Sequence, residues 1–340
     1  MQIKLPAEWE PQDGVLLSWP HAATDWAGSL AQAEPVFVAM ARAIGRFERV
    51  VIVTPEPEVV KRTLAEAGVD TGNITLLRVA TNDTWTRDFG PITVLADGRP
   101  QPLDFTFNGW GNKFAAELDN RVNHTLSEDG ILAMQARAIA MVLEGGSIES
   151  DGRGTLLTTA RCLLNPNRNP DMTRDEISQV ITAEFGLDRI LWLEAGELEG
   201  DDTDSHIDIL ARFAPDDTIL YVACTERDDV HYRELAAMRR ELEAFRTRKG
   251  RPYLLAPLPM PAAIFSDDGQ RLAATYANFL VINGAVLVPV YDDPMDATAC
   301  EVIAAAFPGR EIIPINCIPL IFQGGSLHCS TMQFPEGALA

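Results

Sequence analysis

Val50-Val51-Ile52-Val53, then Pro55 to Ala67, then Ile74-Thr75-Leu76-Leu77-Arg78-Val79 is the stretch whose reading decides the fold. The first run is continuously apolar and β-branched, as a strand buried on both faces requires. The second reads as a helix and the third as another strand. A polar loop and Pro91-Ile92-Thr93-Val94-Leu95 then complete the order strand, helix, strand, loop, strand. The same order returns with Gly154 to Thr159, the helix Thr173 to Phe185, Ile190 to Leu193, an acidic loop, and Ile207 to Phe213. It returns again with Ile219 to Val222, the helix His231 to Phe245, Tyr253 to Ala256 and Phe279 to Ile282. Ala285 to Val290, the helix Met295 to Ala306, Ile312 to Ile315 and a closing Gly324–Gln333 segment end the series.

Glu144-Gly145-Gly146-Ser147-Ile148 and Gln323-Gly324-Gly325-Ser326-Leu327 look alike and hint at internal pseudo-symmetry. No Pro- or Ser-rich linker divides the chain. The expectation is an α/β protein, one domain over residues 1–340, built from modules around a common axis.

With 46% hydrophobic residues the chain has ample material for a core, which sets intrinsic disorder aside. No apolar run approaches the roughly 18 residues that a membrane span needs. The first residues lack a basic region followed by an apolar core, so the expected location is cytoplasmic. A formal charge of −21 disfavours nucleic acid as a partner and would concentrate a small cation. Cys162, Cys224, Cys300, Cys317 and Cys329 are scattered and form no C-x-x-C pair, against both a disulfide framework and a zinc site. Four lie in apolar surroundings and read as buried small hydrophobes. Cys329 is the exception.

Chemistry-bearing residues gather in four segments. Asn82 to Pro91 carries Trp85, Arg87 and Asp88 in a loop after a strand, where a salt-bridged, capped loop is the plain alternative. Glu144-Gly145-Gly146-Ser147 sets a carboxylate beside paired glycines, which permit close backbone approach. Gly200 to Asp208 holds Asp201, Asp202, Asp204, His206 and Asp208, and strand periodicity would turn His206 and Asp208 to one face. Gly324-Gly325-Ser326-Leu327-His328-Cys329 places a thiol after a Gly-Gly turn, where a nucleophile could be exposed. A thiol, an imidazole and at least two carboxylates suit a guanidinium, which takes paired hydrogen bonds from carboxylates and has an electrophilic central carbon. A cysteine protease would have no use for the surplus carboxylates.

These segments, with Pro6 to Gln12, Ser18-Trp19-Pro20-His21, Phe107-Asn108-Gly109-Trp110-Gly111 and Cys162 to Pro170, resemble the Porphyromonas-type peptidylarginine deiminase family. More narrowly, they resemble its agmatine deiminases, within the guanidine-modifying superfamily. The resemblance covers nearly the whole chain. It implies a five-bladed α/β propeller (pentein) of ββαβ modules with pseudo-fivefold symmetry and a central site. Carried over, Cys329 is the nucleophile and His206 the general acid and base. Asp88 and Asp208 grip the guanidinium and Glu144 supports the centre. Trp85 packs on the alkyl chain, with Asp202 near the distal ammonium. Trp110, Gly324 and Gly325 complete the substrate-binding set. The implied reaction is hydrolytic deimination of agmatine to N-carbamoylputrescine through a cysteine thiouronium, with no cofactor or metal. Arginine or peptidyl-arginine deimination is the alternative, amidino transfer a more remote one, and a homo-oligomer stays open. This chain departs from many agmatine deiminases at Ser326-Leu327 and Ile209, beside the reactive residues.

Overall fold

In the computed structural model, which describes residues 2–340, the Val50 run lies where its composition demands. Arg49–Thr54 is an inner strand of a four-stranded sheet ordered Met332–Pro335, Gln12–Ser18, Arg49–Thr54, Ile74–Arg78. Val50, Val51, Ile52 and Val53 are all shielded from solvent. Two elements of this sheet are absent from the sequence reading: the strand Gln12–Ser18, broken in composition by Asp13 and Gly14, and the helix Leu30–Gly45. That helix buries Ala33, Phe37, Met40, Ala41 and Ile44, spaced three and four apart along one face. A fully buried side chain of the size of Phe37 or Ile44 is worth about 1.5–3 kcal/mol.

The chain forms five separate sheets, and one unit recurs in all of them: two antiparallel strands, a helix, then a strand parallel to the second. In one, Ile148–Ser150 pairs antiparallel with Thr155–Thr159, and the helix Arg174–Phe185 leads to the parallel Arg189–Leu193. Thr173 and Glu176 cap that helix reciprocally, and Gly186 in the left-handed region ends it. Ala211–Ala214, Thr218–Val222 and Leu254–Leu258 repeat the unit around the helix Tyr232–Ala244. Leu280–Ile282, Ala285–Val290 and Glu311–Asn316 repeat it around Asp296–Ala306. Ile92–Ala96, Arg99–Thr106 and Arg137–Val142 repeat it with the short helix Val122–Glu128, and Ile3–Lys4 is added at the edge. In the first sheet the unit joins both ends of the chain, because Met332–Pro335 pairs antiparallel with Gln12–Ser18.

One expected strand is shorter than its sequence suggests. Ile207–Ile209 is a turn of 3-10 helix, and only Ala211–Ala214 pairs as strand. Among the described residues no helix is long and apolar enough to cross a membrane.

Candidate active site

Each sheet is preceded by a short segment that runs into its leading strand, and these five segments meet. Asp88 lies just ahead of Ile92–Ala96 and Glu144 just ahead of Ile148–Ser150. Asp208 precedes Ala211–Ala214, Asn278 precedes Leu280–Ile282, and Cys329 precedes Met332–Pro335. Gly146 stands at the crossing. A methyl group built on it would lie 2.7 Å from His206 Nδ1, 2.9 Å from Asp88 Oδ1 and 3.1 Å from Asp208 Oδ2. His206 and Asp208 therefore converge as expected, by way of a tight turn and not by strand alternation. The backbone N–H of Gly146 also donates to Asp88 Oδ1 at 3.0 Å. Gly146→Ala should lower kcat/KM by about 100-fold or more through displaced reacting groups, with little change in Tm; steady-state kinetics beside a melting curve checks this.

A cavity of about 210 Å³ opens onto this centre, with Cys329, Asp88, Trp85, Trp110 and Asp202 among its walls. Cys329 is only 5% exposed, so the thiol lies at the cavity floor and not on a surface turn. Trp110 has φ 54°, in the left-handed region that a bulky residue rarely adopts. In that conformation its Nε1 donates to the second oxygen of Asp88 at 3.0 Å. Trp85 lies against Gly325, where a methyl group would meet the ring at 2.3 Å, and Gly324 faces the Asp202 carboxyl. The acidic loop divides its labour. Asp201 accepts from the backbone of Thr203 and Ser205 and shapes the turn. Asp204 pairs with Arg168 and Lys113. Of the three, Asp202 is the one that lines the cavity.

Burial governs the charges. It pushes the Cys329 thiol well above its usual range, and the Asp208 and Asp88 carboxyls add to that. It likewise raises Asp88, with Asp208 and Glu144 contributing. His206 is driven down to about 4 by burial. Burial would also raise Asp208, but the hydrogen bond and charge of His328 hold it below the ordinary carboxylate range. Burial thus pairs a thiol with a neutral imidazole. His206 Nδ1 and Nε2, Glu144 Oε2 and Asp208 Oδ1 are buried without a hydrogen-bond partner in the protein. Unpaired polar atoms concentrated in this way mark a site built for a polar ligand.

Asn278, which the sequence reading passes over, is central. Its Oδ1 accepts from the backbone N–H of His328 at 2.8 Å and of Cys329 at 3.3 Å. That fixes Nδ2 toward Asp208 Oδ2 at 3.2 Å and Cys329 Sγ at 3.3 Å. Arg168, which lies within the Cys162 to Pro170 segment, is buried and donates to Glu144 Oε1 at 3.0 Å. The signal for Asn278 is positional: it is a polar residue immediately ahead of a leading strand, like Asp88 and Glu144. Cys162 is buried in the core as its apolar reading expects, whereas Cys224 and Cys300 are only partly buried. The Cys162 sulfur also lies within 4.8 Å of ligand atoms of Glu144 and His206, a donor set of the kind that holds metals. The Arg168 guanidinium on Glu144 opposes a second cation there.

The sequence profile of the Porphyromonas-type peptidyl-arginine deiminases matches residues 4–335. The chain belongs to that family. Among this deiminase's relatives, agmatine deiminase of Pseudomonas aeruginosa (strain UCBPP-PA14) is 34% identical, over 98% of this chain and 95% of its own. A Porphyromonas gingivalis structure described as a candidate arginine deiminase is 47% identical, with a TM-score of 0.93 and full coverage of both chains. A cysteine-to-serine variant of C. jejuni agmatine deiminase with substrate bound is 38% identical, with a TM-score of 0.91 over 99% of the deiminase and 97% of that chain.

Proposed function

We propose that this chain hydrolyses agmatine to N-carbamoylputrescine and ammonia, as one catalytic domain whose five sheets stand as propeller blades around the site. The carrying observation is the meeting of Cys329, His206, Asp88 and Asp208 beside a cavity that Cys329, Asp88 and a further acid, Asp202, line. The full-length likeness to agmatine deiminases supports the choice of substrate.

A guanidinium enters between Asp88 and Asp208 and adds its charge to the centre. That charge draws the raised Asp88 carboxyl to the ionised form, beside an Asp208 already held ionised, and lowers the cost of a thiolate. The Cys329 proton passes to His206, and the sulfur attacks the guanidino carbon. His206 returns that proton to the leaving nitrogen as the C–N bond breaks and ammonia departs. A thiouronium remains on Cys329. His206 then takes a proton from water as the oxygen adds, and collapse of the second tetrahedral adduct passes its hydroxyl proton to the departing thiolate and leaves the urea, while His206 sheds its proton to solvent. Glu144, held by Arg168, supports the imidazole while Asn278 Nδ2 steadies the sulfur.

Trp85 and Trp110 flank the alkyl chain, and Asp202 meets the distal ammonium. Burial pushes Asp202 up to about 6, so its negative charge is present above that pH and lost below it. KM for agmatine should therefore rise as pH falls through about 6, and Asp202→Asn should flatten that rise. An unchanged profile in the variant removes Asp202 from the ammonium site.

The decisive assay compares agmatine, arginine and an arginyl peptide by mass spectrometry. Agmatine turned over in strong preference, with ammonia released, supports the proposal. Arginine preferred would keep the chemistry and reassign the substrate, and capture of the amidino group by added amines would indicate transfer.

A further inference from the structure

Behind the site lies a charged layer that the reaction above does not use. His328, next to the thiol in sequence, turns its ring away from the cavity and is 1% exposed. Its Nδ1 is 2.8 Å from Asp208 Oδ2 and its Nε2 is 2.7 Å from Glu8 Oε2. Both contacts have hydrogen-bond length, and both partners are carboxylate oxygens.

The protonation of the two partners is fixed by their other contacts. Glu8 Oε1 accepts from the backbone N–H of Val281 at 2.7 Å, and Oε2 accepts from Arg212 at 3.0 Å. The Arg87 guanidinium lies 3.5 Å from that same oxygen. Asp208 Oδ2 also accepts from Asn278 Nδ2, whose orientation two backbone donors set. Each carboxylate is thus surrounded by donors and acts as an acceptor. A neutral imidazole has one N–H and one lone pair. It would satisfy one carboxylate and set its lone pair against the other at under 3 Å. Only the doubly protonated ring serves both.

We infer that His328 stands as an imidazolium clamped between Glu8 and Asp208, a positioning residue that fixes and charges the carboxylate meeting the guanidinium. Burial and the charges of Arg212 and Arg87 work against that proton and pull the ring below its ordinary value, although the two carboxylates work for it. The short double contact decides the balance. Other groups face the cluster too: Glu149 accepts from Arg212, while Asp88 and Cys329 lie on the cavity side of Asp208. With Oδ2 committed to His328, Asp208 keeps Oδ1 buried and unpartnered, free for the substrate. Glu8 comes from the Pro6–Gln12 segment far away in the sequence, so the N-terminal segment has a direct part in tuning the site.

The functional half of this inference rests on the deimination reading, and the structural half does not. The test therefore has two arms. In ¹⁵N-histidine-labelled wild-type protein, assigned by single replacement of His21, His124, His206 and His231, both ring nitrogens of His328 should be protonated at about pH 7. One bare nitrogen overturns the inference whatever the activity. In the second arm, His328→Gln removes the cation and one of the two donors. KM for agmatine should rise about 10- to 100-fold, with kcat changing less. That KM should recover as pH is raised, because Asp208 without its partner ionises only at higher pH. An unchanged KM in a folded variant overturns the positioning role. Wild-type protein inert toward agmatine defeats the functional proposal and leaves the NMR arm intact.

Discussion

Cys329→Ala is expected to abolish ammonia release from agmatine, a fall in kcat of about 10⁴-fold or more. The size follows from the step lost. Without sulfur no covalent adduct forms, and water would have to attack a resonance-stabilised guanidinium directly. Fold damage is a poor rival explanation. Alanine is smaller, and the thiol's polar contacts are few: Asn278, the backbone of Ser326 and a 3.9 Å approach to Asp208. The variant should still bind agmatine, since Asp88, Asp208 and Asp202 are untouched, and saturating agmatine should raise its Tm. Retained binding without turnover separates grip from chemistry. Substantial ammonia release by the variant would remove Cys329 from the nucleophile role.

The second large effect is expected for His206→Gln, a loss in kcat of about 10²- to 10⁴-fold, the range of a general acid–base group. The imidazole serves three proton transfers in the proposed cycle, and none of its neighbours can replace it. Asp88 and Asp208 are committed to the guanidinium, and Glu144 is paired with Arg168. Because burial holds His206 at about 4, the neutral ring is available well below neutrality. An acid loss of activity near pH 6 should therefore come from the cavity-wall acids that burial pushes to about 6, Asp202 and Asp83, and the part carried by Asp202 should appear in KM. Ammonia release measured across pH in wild type and variant checks both points. A variant that keeps most of its kcat would transfer the proton work elsewhere.

The recurring unit was legible because its inner strands are buried on both faces, so Val50–Val53 and Ala285–Val290 leave an unbroken apolar signature. Gln12–Ser18 was not, because Gln12, Asp13 and Gly14 hide a strand whose polar members hydrogen-bond to distant partners such as Asn283 and Leu339. Asp88, His206, Asp208 and Cys329 stood out as reactive types in turn-rich segments, and the structure brings them together. Asn278 did not, since an uncharged amide ahead of a strand looks like ordinary capping until its five-sheet position is seen. Cys162 was read from its apolar neighbours in sequence as a buried hydrophobe, and it is one, but its neighbours in space also include Glu144 and His206. Sequence reports the first kind of neighbour and is silent on the second.

The antiparallel pairing of Met332–Pro335 with Gln12–Ser18 has a consequence for biosynthesis. A chain emerging from the ribosome can complete the sheets built from its middle segments early, because their contacts are local. The sheet that holds Cys329 in place must wait for strands from opposite ends of the polypeptide to find each other, the slowest kind of contact to make. The thiol is therefore delivered to its acids and imidazole late, together with Phe322 to Gly325, which form part of the cavity wall. A nascent chain would pass through most of its folding with neither the cavity closed nor the thiol in it.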